Sequence, residues 1–332
     1  MSGTASSNSV ATTVPIARPC ETSAVDAVDE WAFREVVFAK LRAMMLVKPV
    51  FSRNDLASIE VLGDPVRIVG TQTGIWKPKQ LTAALSILTG FYPSEKSRPY
   101  ADGLGPDDLL RYKWRGDNPQ HADNRALRAA MELGLPLVWF LGIGFEGGTQ
   151  TQVFQPVMPV WLIAEEPDQQ QFVVAIDEAQ RALVDQGVVH VSAIERSYNL
   201  ATVRRRVHQP LFRTQVLHAY QRRCAVCRLP FDQLLDAAHI KADADGGAPN
   251  VSNGLALCKI HHGAFDADIL GITADYRVAI KESVLDTFDG PTLQHALKEM
   301  HGGKLRQLPE RAVLRPDRAL LDERYERFKR AG

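Results

Sequence analysis

Two short spacings limit this chain more than any other feature. Cys224 and Cys227 form a C-x2-C pair, and 30 residues further on Cys258 and His261 form a C-x2-H pair. Two residues between donors let one tight turn aim both at a single ion. Two such pairs supply the four soft or borderline ligands that a tetrahedral Zn²⁺ prefers. Only four cysteines occur in the chain, and the fourth, Cys20, stands alone in a polar leader. Three clustered thiols with a histidine three residues after the last read as a metal site rather than a disulfide framework. A reduced-cysteine cluster alone would leave His261 without a purpose, so structural zinc is expected at Cys224, Cys227, Cys258 and His261.

Between and just after these pairs lie polar residues that a structural zinc does not need. LLDAAHI (234–240) reads as a short strand ending in His239, and KADADGGAPN supplies a Gly-Gly turn. NGLALC reads as a return strand opening with Asn253, and CKIHHGAFDADI begins a helix. On that helix His262 and Asp266 are four residues apart and share a face. Two strands and a helix therefore bring His239, Asn253, His262 and Asp266 together.

The segment 224–272 resembles the His-Asn-His (HNH) endonucleases of the ββα-metal superfamily in their zinc-stapled form. It is most similar to the restriction-type members, through AAHI, NGL-x-LC and HH-x-x-FD. The likeness covers about 50 of 332 residues. It implies a catalytic set of His239, Asn253 and His262, with His239 as general base for phosphodiester hydrolysis. Near neutral pH an imidazole can accept the proton of the attacking water. The resemblance also implies one catalytic divalent ion, Mg²⁺ or another, on His262 and Asp266. Asn253 either reaches that ion or braces the hairpin. Many members carry an acidic or histidine ligand directly before the base, where this chain has Ala238. The nearest acid, Asp236, is either a third ligand or an exposed, DNA-facing carboxylate. On a regular strand it points away from His239 unless a bulge intervenes.

Lys+Arg and Asp+Glu both number 39, which excludes a chain that is basic throughout but not a locally basic one. From Arg196 to Arg223 there are seven arginines and no Asp, Glu or Lys. Arg204, Arg205, Arg206, Arg213, Arg222 and Arg223 are therefore candidate phosphate contacts on a helical connector. FRTQVLHAYQRR is expected to be helical, as is the C-terminal stretch 315–332, which packs Leu320, Leu321, Tyr325 and Phe328.

The front half reads as mostly β, with strands at VRIVG (66–70), PLVWFLGIG (136–144) and VFQPVMPVWLIA (153–164). From Asp29 the pattern is helical over EWAFREVVFAKLRAMMLV, with Trp31, Val37, Leu41 and Met45 on one side; another helix is expected to start at Ser52, and a third over 124–134 with Asn124 as N-cap and Gly134 as the stop. Between 74 and 130, Trp76, Tyr92, Tyr100, Tyr112 and Trp114 interleave with Lys77, Lys79, Lys113 and Arg115. Aromatics suit base stacking and cations suit phosphates, although Trp and Tyr also build β cores. GIWKP, PYADGL and YKWRG followed by ADNRAL resemble SRA-like (PUA-barrel) domains that precede HNH modules. That resemblance implies a pocket for an extruded modified base, with Tyr100, Asp102, Tyr112 and Trp114 as members.

The expected fold is α+β. Behind a flexible leader (1–27), an SRA/PUA-like β-barrel domain with helices (28–167) is joined by a basic helical linker (168–211) to a zinc-stapled ββα-metal HNH nuclease domain with a C-terminal helix (212–332). The expected protein is cytoplasmic, without signal peptide or membrane span. It acts as a homodimer on double-stranded DNA carrying 5-methyl- or 5-hydroxymethylcytosine. Three other readings stay open on the residues: an HNH nuclease for unmodified sequence or phosphorothioate, a nickase, or a non-catalytic zinc-stabilised DNA-binding module.

Overall fold

The computed structural model describes residues 29–93, 104–185, 188–189 and 191–331. The leader 1–27, Tyr100 and Asp102 lie outside the described residues. The chain is a mixed α+β protein. In the front half, α1 (Glu30–Val47) is followed by β1 (Phe51–Ser52), β2 (Ile59–Val61), β3 (Asp64–Val66), β4 (Ile75–Trp76), β5 (Ser86–Thr89) and β6 (Leu110–Lys113). Next come α2 (Ala122–Glu132), β7 (Leu137–Phe145), β8 (Gln152–Glu166) and β9 (Gln171–Ala175). The main sheet runs β4-β5-β7-β8-β9-β6, with β1 added to β8. Only the β5–β7 pairing within it is parallel.

The sheet curls into a half-barrel because of its longest strand. β8 pairs with β7 along its first half and with β9 along its second, and its register shifts between Leu162 and Ala164. β7 shifts between Gly142 and Gly144. Extra residues of this kind bend a strand and increase its twist. Tyr112 on edge strand β6 donates its hydroxyl to Gly74 O beside the opposite edge (3.0 Å) and meets Trp139 edge-on, centroids 5.8 Å apart. Tyr112 and Trp114 are thus core residues, 5% and 6% exposed.

Local chemistry explains where the expected elements moved. The buried face of α1 is Phe33, Arg34, Val37, Phe38 and Leu41, whereas Trp31 is exposed. The Arg34 guanidinium ties this helix to Ala84 O and Pro136 O (both 2.9 Å) and pairs with Glu30 one turn before it. No helix starts at Ser52; the Asp55 carboxylate accepts from Ser52 N (2.7 Å) in a turn, and the chain continues as strand. His121, not Asn124, caps α2. Asn124 is buried and clamps the backbone of Arg115 and Asn118 instead. Gly134 ends that helix with φ +62, the left-handed conformation expected of a stop.

The sheet does not end at residue 167. Strand β9 lies beyond it, followed by the short α3 (Glu178–Arg181) and the ribbon β10 (Val184–Asp185) with β11 (Val188–Val189). α4 (Ala193–Val203) then runs through a π-helical turn (Arg204–His208) into α5 (Gln209–Ala219). Val203 and Val207 belong to the front core, so 168–211 is not a free-standing linker. A separate core holds the C-terminal half: β12 (Leu235–His239), β13 (Gly254–Cys258), α6 (Lys259–Asp266), β14 (Leu270–Ile272) and β15 (Val278–Ile280). α7 (Glu282–Leu285), α8 (Pro291–Ala296) and α9 (Arg318–Arg330) complete it, with Leu321 and Phe328 of α9 buried. None of the described helices is long and apolar enough to cross a membrane.

Candidate active site

The two chelating pairs meet. Cys258 Sγ lies 3.1 Å and Cys224 Sγ 3.5 Å from His261 Nδ1, and the Sγ atoms of Cys227 and Cys258 are 4.0 Å apart. All four donor atoms fall within 4.8 Å of one another, and none of the three thiols is in a disulfide. Tetrahedral zinc at about 2.3 Å from sulfur sets sulfurs about 3.8 Å apart, so these residues could hold that ion with little movement. The other ring nitrogen, His261 Nε2, meets Ala296 O at 2.7 Å, the outer contact that fixes a ligating imidazole. Hydrogen bonds from Cys224 and Cys227 pull the Cys258 thiol far below its ordinary range, toward the ligating thiolate.

The staple anchors the hairpin beside it. β12 and β13 pair in unbroken register, Leu235 opposite Cys258 through to His239 opposite Gly254. Without a bulge, Asp236 and His239 leave opposite faces of the strand. Asp236 turns to α6, where its Oδ2 is 3.2 Å from His262 Nδ1 and 2.6 Å from Lys259 Nζ. His262 Nε2 is 3.2 Å from Asp266 Oδ2. One imidazole therefore sits between two carboxylates, one half-buried and one exposed. Burial alone would raise the Asp236 carboxyl, but Lys259 and His262 outweigh it and hold it below the usual range. These oxygen and nitrogen donors suit a hard divalent cation.

His239 turns to α5. Its ring stacks on Phe212, centroids 4.0 Å apart and planes 12° from parallel. Burial pushes the imidazole below its ordinary value; Asp243 acts against this and the charge of His262 with it. The ring is thus neutral at neutral pH, the form that accepts a proton. Asn253 is 1% exposed, and its amide is fully engaged. Oδ1 accepts from Lys241 N (2.9 Å), while Nδ2 donates to Lys241 O (2.9 Å) and Ala248 O (3.0 Å). It clasps the loop that closes the hairpin.

Residues 224–273 match the family model of the HNH endonucleases. That match makes this segment a module for DNA phosphodiester hydrolysis. No curated protein matches the chain. Among solved structures it is similar to one described as a modification-dependent TagI restriction endonuclease: 20% identity over 78% of this chain and 86% of that one, TM-score 0.26. It is also similar to the Type IV phosphorothioation-dependent restriction endonuclease ScoMcrA: 18% identity over 59% of this chain and 51% of that one, TM-score 0.23.

Folding rearranges the arginine-rich connector. Arg204 pairs with Asp243 (3.6 Å) and Arg222 with Asp232. Arg206 donates to Ile176 O, Arg213 to Leu235 O and Asp232 O, and Arg223 to Arg228 O. Arg204, Arg205, Arg206 and Arg213 are exposed, but the seven charges that are uncompensated along the sequence are partly compensated in space. Tyr112 and Trp114 line a cavity of about 1220 Å³ between the front sheet and the nuclease half. Its wall also carries Arg53, Arg67, Trp139 and the nuclease loop 248–252. The indole Nε1 of Trp114 is buried without a hydrogen-bond partner among the described residues. Sequence reasoning missed Phe212, which meets the site from α5, and Lys259 and Asp243, whose contacts with Asp236 and His239 no motif spacing marks.

Proposed function

We propose that the chain is a modification-dependent DNA endonuclease that hydrolyses phosphodiester bonds with His239 as general base. The observation that carries the nuclease reading is a convergence beside the zinc-ligand cluster: the half-buried imidazole at the end of β12 and the His262–Asp266 face of α6, near enough for the His262 charge to act on His239. His239 takes a proton from a water whose oxygen attacks phosphorus. The bond to the 3′ oxygen breaks, leaving 5′-phosphate and 3′-hydroxyl ends. A divalent cation held by His262 Nε2 and Asp266 would supply charge for the phosphate and the leaving oxygen, while Asp236, on the other ring nitrogen, orients His262. Asn253 acts as the hairpin brace, since it is 1% exposed, both its Nδ2 hydrogens go to loop carbonyls and its Oδ1 accepts from Lys241 N.

The front half supplies the reader. Its inter-domain cavity combines aromatic walls and two arginines, features suited to an extruded base and its phosphate. We assign it to modified cytosine, 5-methyl or 5-hydroxymethyl, in an SRA-like domain. Exposed Arg204, Arg205 and Arg213 contact duplex backbone, and two copies of the chain act together to cut both strands.

The test is cleavage of plasmid passed through a cytosine-methylating host against unmethylated plasmid, with Mg²⁺ and with EDTA. Cutting of methylated plasmid only, abolished by EDTA, is expected. Equal cutting of both would remove the reader assignment and leave the nuclease. No cutting of either with Mg²⁺ would remove the nuclease assignment.

A further inference from the structure

We propose that Phe212 is a positioning residue for His239, holding the imidazole in its plane by ring stacking. The proposal rests on the reading of His239 as general base. Histidine bases ordinarily take their orientation from a hydrogen bond to the second ring nitrogen. Among the described residues no hydrogen bond reaches either nitrogen of His239, and the parallel Phe212 ring at 4.0 Å is its defining contact.

The approach that makes this stack possible is built into the hairpin. Gly254 stands opposite His239. A Cβ there would lie 2.4 Å from Val216 Cγ2 and 3.0 Å from Phe212 Cζ, so α5 can sit this close only over bare backbone. Tyr220 donates its hydroxyl to Gly254 O (3.2 Å), fixing the same contact from just beyond the end of α5. The other side of α5 is tied to the front sheet: Gln215 Nε2 donates to Gly142 O (3.1 Å), and His218 Nε2 meets Phe145 O (2.8 Å). Phe212, 3% exposed, is thus carried by a helix anchored to both halves of the molecule.

The charged groups that act on His239 are Asp243, from the turn Asp243–Asp245, and His262 of α6. On α5, Arg213 is occupied by the carbonyls of Leu235 and Asp232, and His208 lies one turn before Phe212 with Asp243 acting on it as well. None of these supplies a plane. Phe212 supplies one, and at the same time keeps water from one face of the imidazole.

The experiment uses the full, zinc-loaded chain as wild type and as Phe212→Leu, Phe212→Met and Phe212→Tyr. Zinc content and thermal melting confirm that each is folded. Single-turnover cleavage gives kcat and KM across pH, and NMR follows titration of the His239 ring without Mg²⁺. Phe212→Leu and Phe212→Met should lose about 10- to 100-fold in kcat with little change in KM. Their acid limb and the His239 titration should both move up in pH as water reaches the ring. Phe212→Tyr, which keeps the stack, should restore both. Wild-type kcat with an unmoved acid limb in folded Phe212→Leu would overturn the proposal, as would an unmoved His239 titration. A wild type that cuts no DNA would instead count against His239 as base, and the titration would still decide whether Phe212 holds its ring.

Discussion

The candidate catalytic side chains all lie between Asp236 and Asp266, on one hairpin and one helix beside four donors that could hold zinc. The cavity of the front half draws instead on Arg53, Arg67, Tyr112 and Trp139, and on a nuclease loop nearly 200 residues from the first of them. The first site depends on local geometry and a metal staple. The second depends on a curled sheet whose bulges and edge contacts must all form before a cavity exists. A short site fixed by covalent-strength ligands should therefore fail sharply when the staple is removed, and a dispersed site should decline gradually as wall residues change.

Removal of zinc should separate the halves most strongly. Structural zinc contributes about 10–16 kcal/mol in small zinc-folded peptides. Cys258→Ala, or prolonged chelation, should unfold the hairpin and abolish cleavage. The front sheet should keep its strand signal in circular dichroism, and hydrogen exchange should report the loss over 224–273 only. Simultaneous loss of protection in β7 and β8 would show that the two cores are one unit.

Asn253→Ala comes next. It leaves two carbonyls and one amide N–H of the hairpin loop without their partner, a cost of about 3 kcal/mol. Cleavage should fall steeply with zinc retained, measured by metal analysis beside the melting curve. An Asn253→Ala protein of wild-type stability would contradict the brace role.

Tyr112→Phe should have a smaller effect, about 1 kcal/mol, because it removes the hydroxyl that meets Gly74 O and, more weakly, Leu88 O and leaves the ring in place. Affinity for modified duplex should drop more than cleavage of bound DNA. The reverse pattern would put Tyr112 nearer the chemistry than the cavity places it.

The smallest effect is on pH. Burial holds His218, which meets Phe145 O at the junction, below its ordinary value. The folded state then binds fewer protons than the unfolded one as pH falls below the ordinary imidazole value. The contribution is intact above that value and is lost on acidification. Melting temperature should fall modestly from pH 7 to pH 5, and His218→Gln should flatten that slope.

Legibility in the sequence follows the same division. Ligand spacing is a local property, so the zinc cluster, the hairpin and the His262–Asp266 face could all be read from residues a few positions apart. β7 and β8 were visible as apolar runs, although Gln152–Glu166 is one long strand and its bulges left no mark. The Arg196–Arg223 charge run misled, because Asp232 and Asp243, which neutralise part of it, come later in the chain and meet it only in space. Trp114 and Tyr112 read equally as core and as pocket. They prove to be core residues that also border a cavity, a combination that no periodicity encodes. Asn124 was a plausible cap by residue type, but its amide serves the 115–118 loop instead.

The central claim is that the His239 imidazole takes the proton of the attacking water. The most direct measurement is single-turnover cleavage by His239→Ala in Mg²⁺, with zinc content and melting temperature measured on the same sample. The account predicts a loss of about 10²–10⁴-fold in rate with zinc and fold retained. Cleavage at the wild-type rate by the folded, zinc-loaded variant would contradict it.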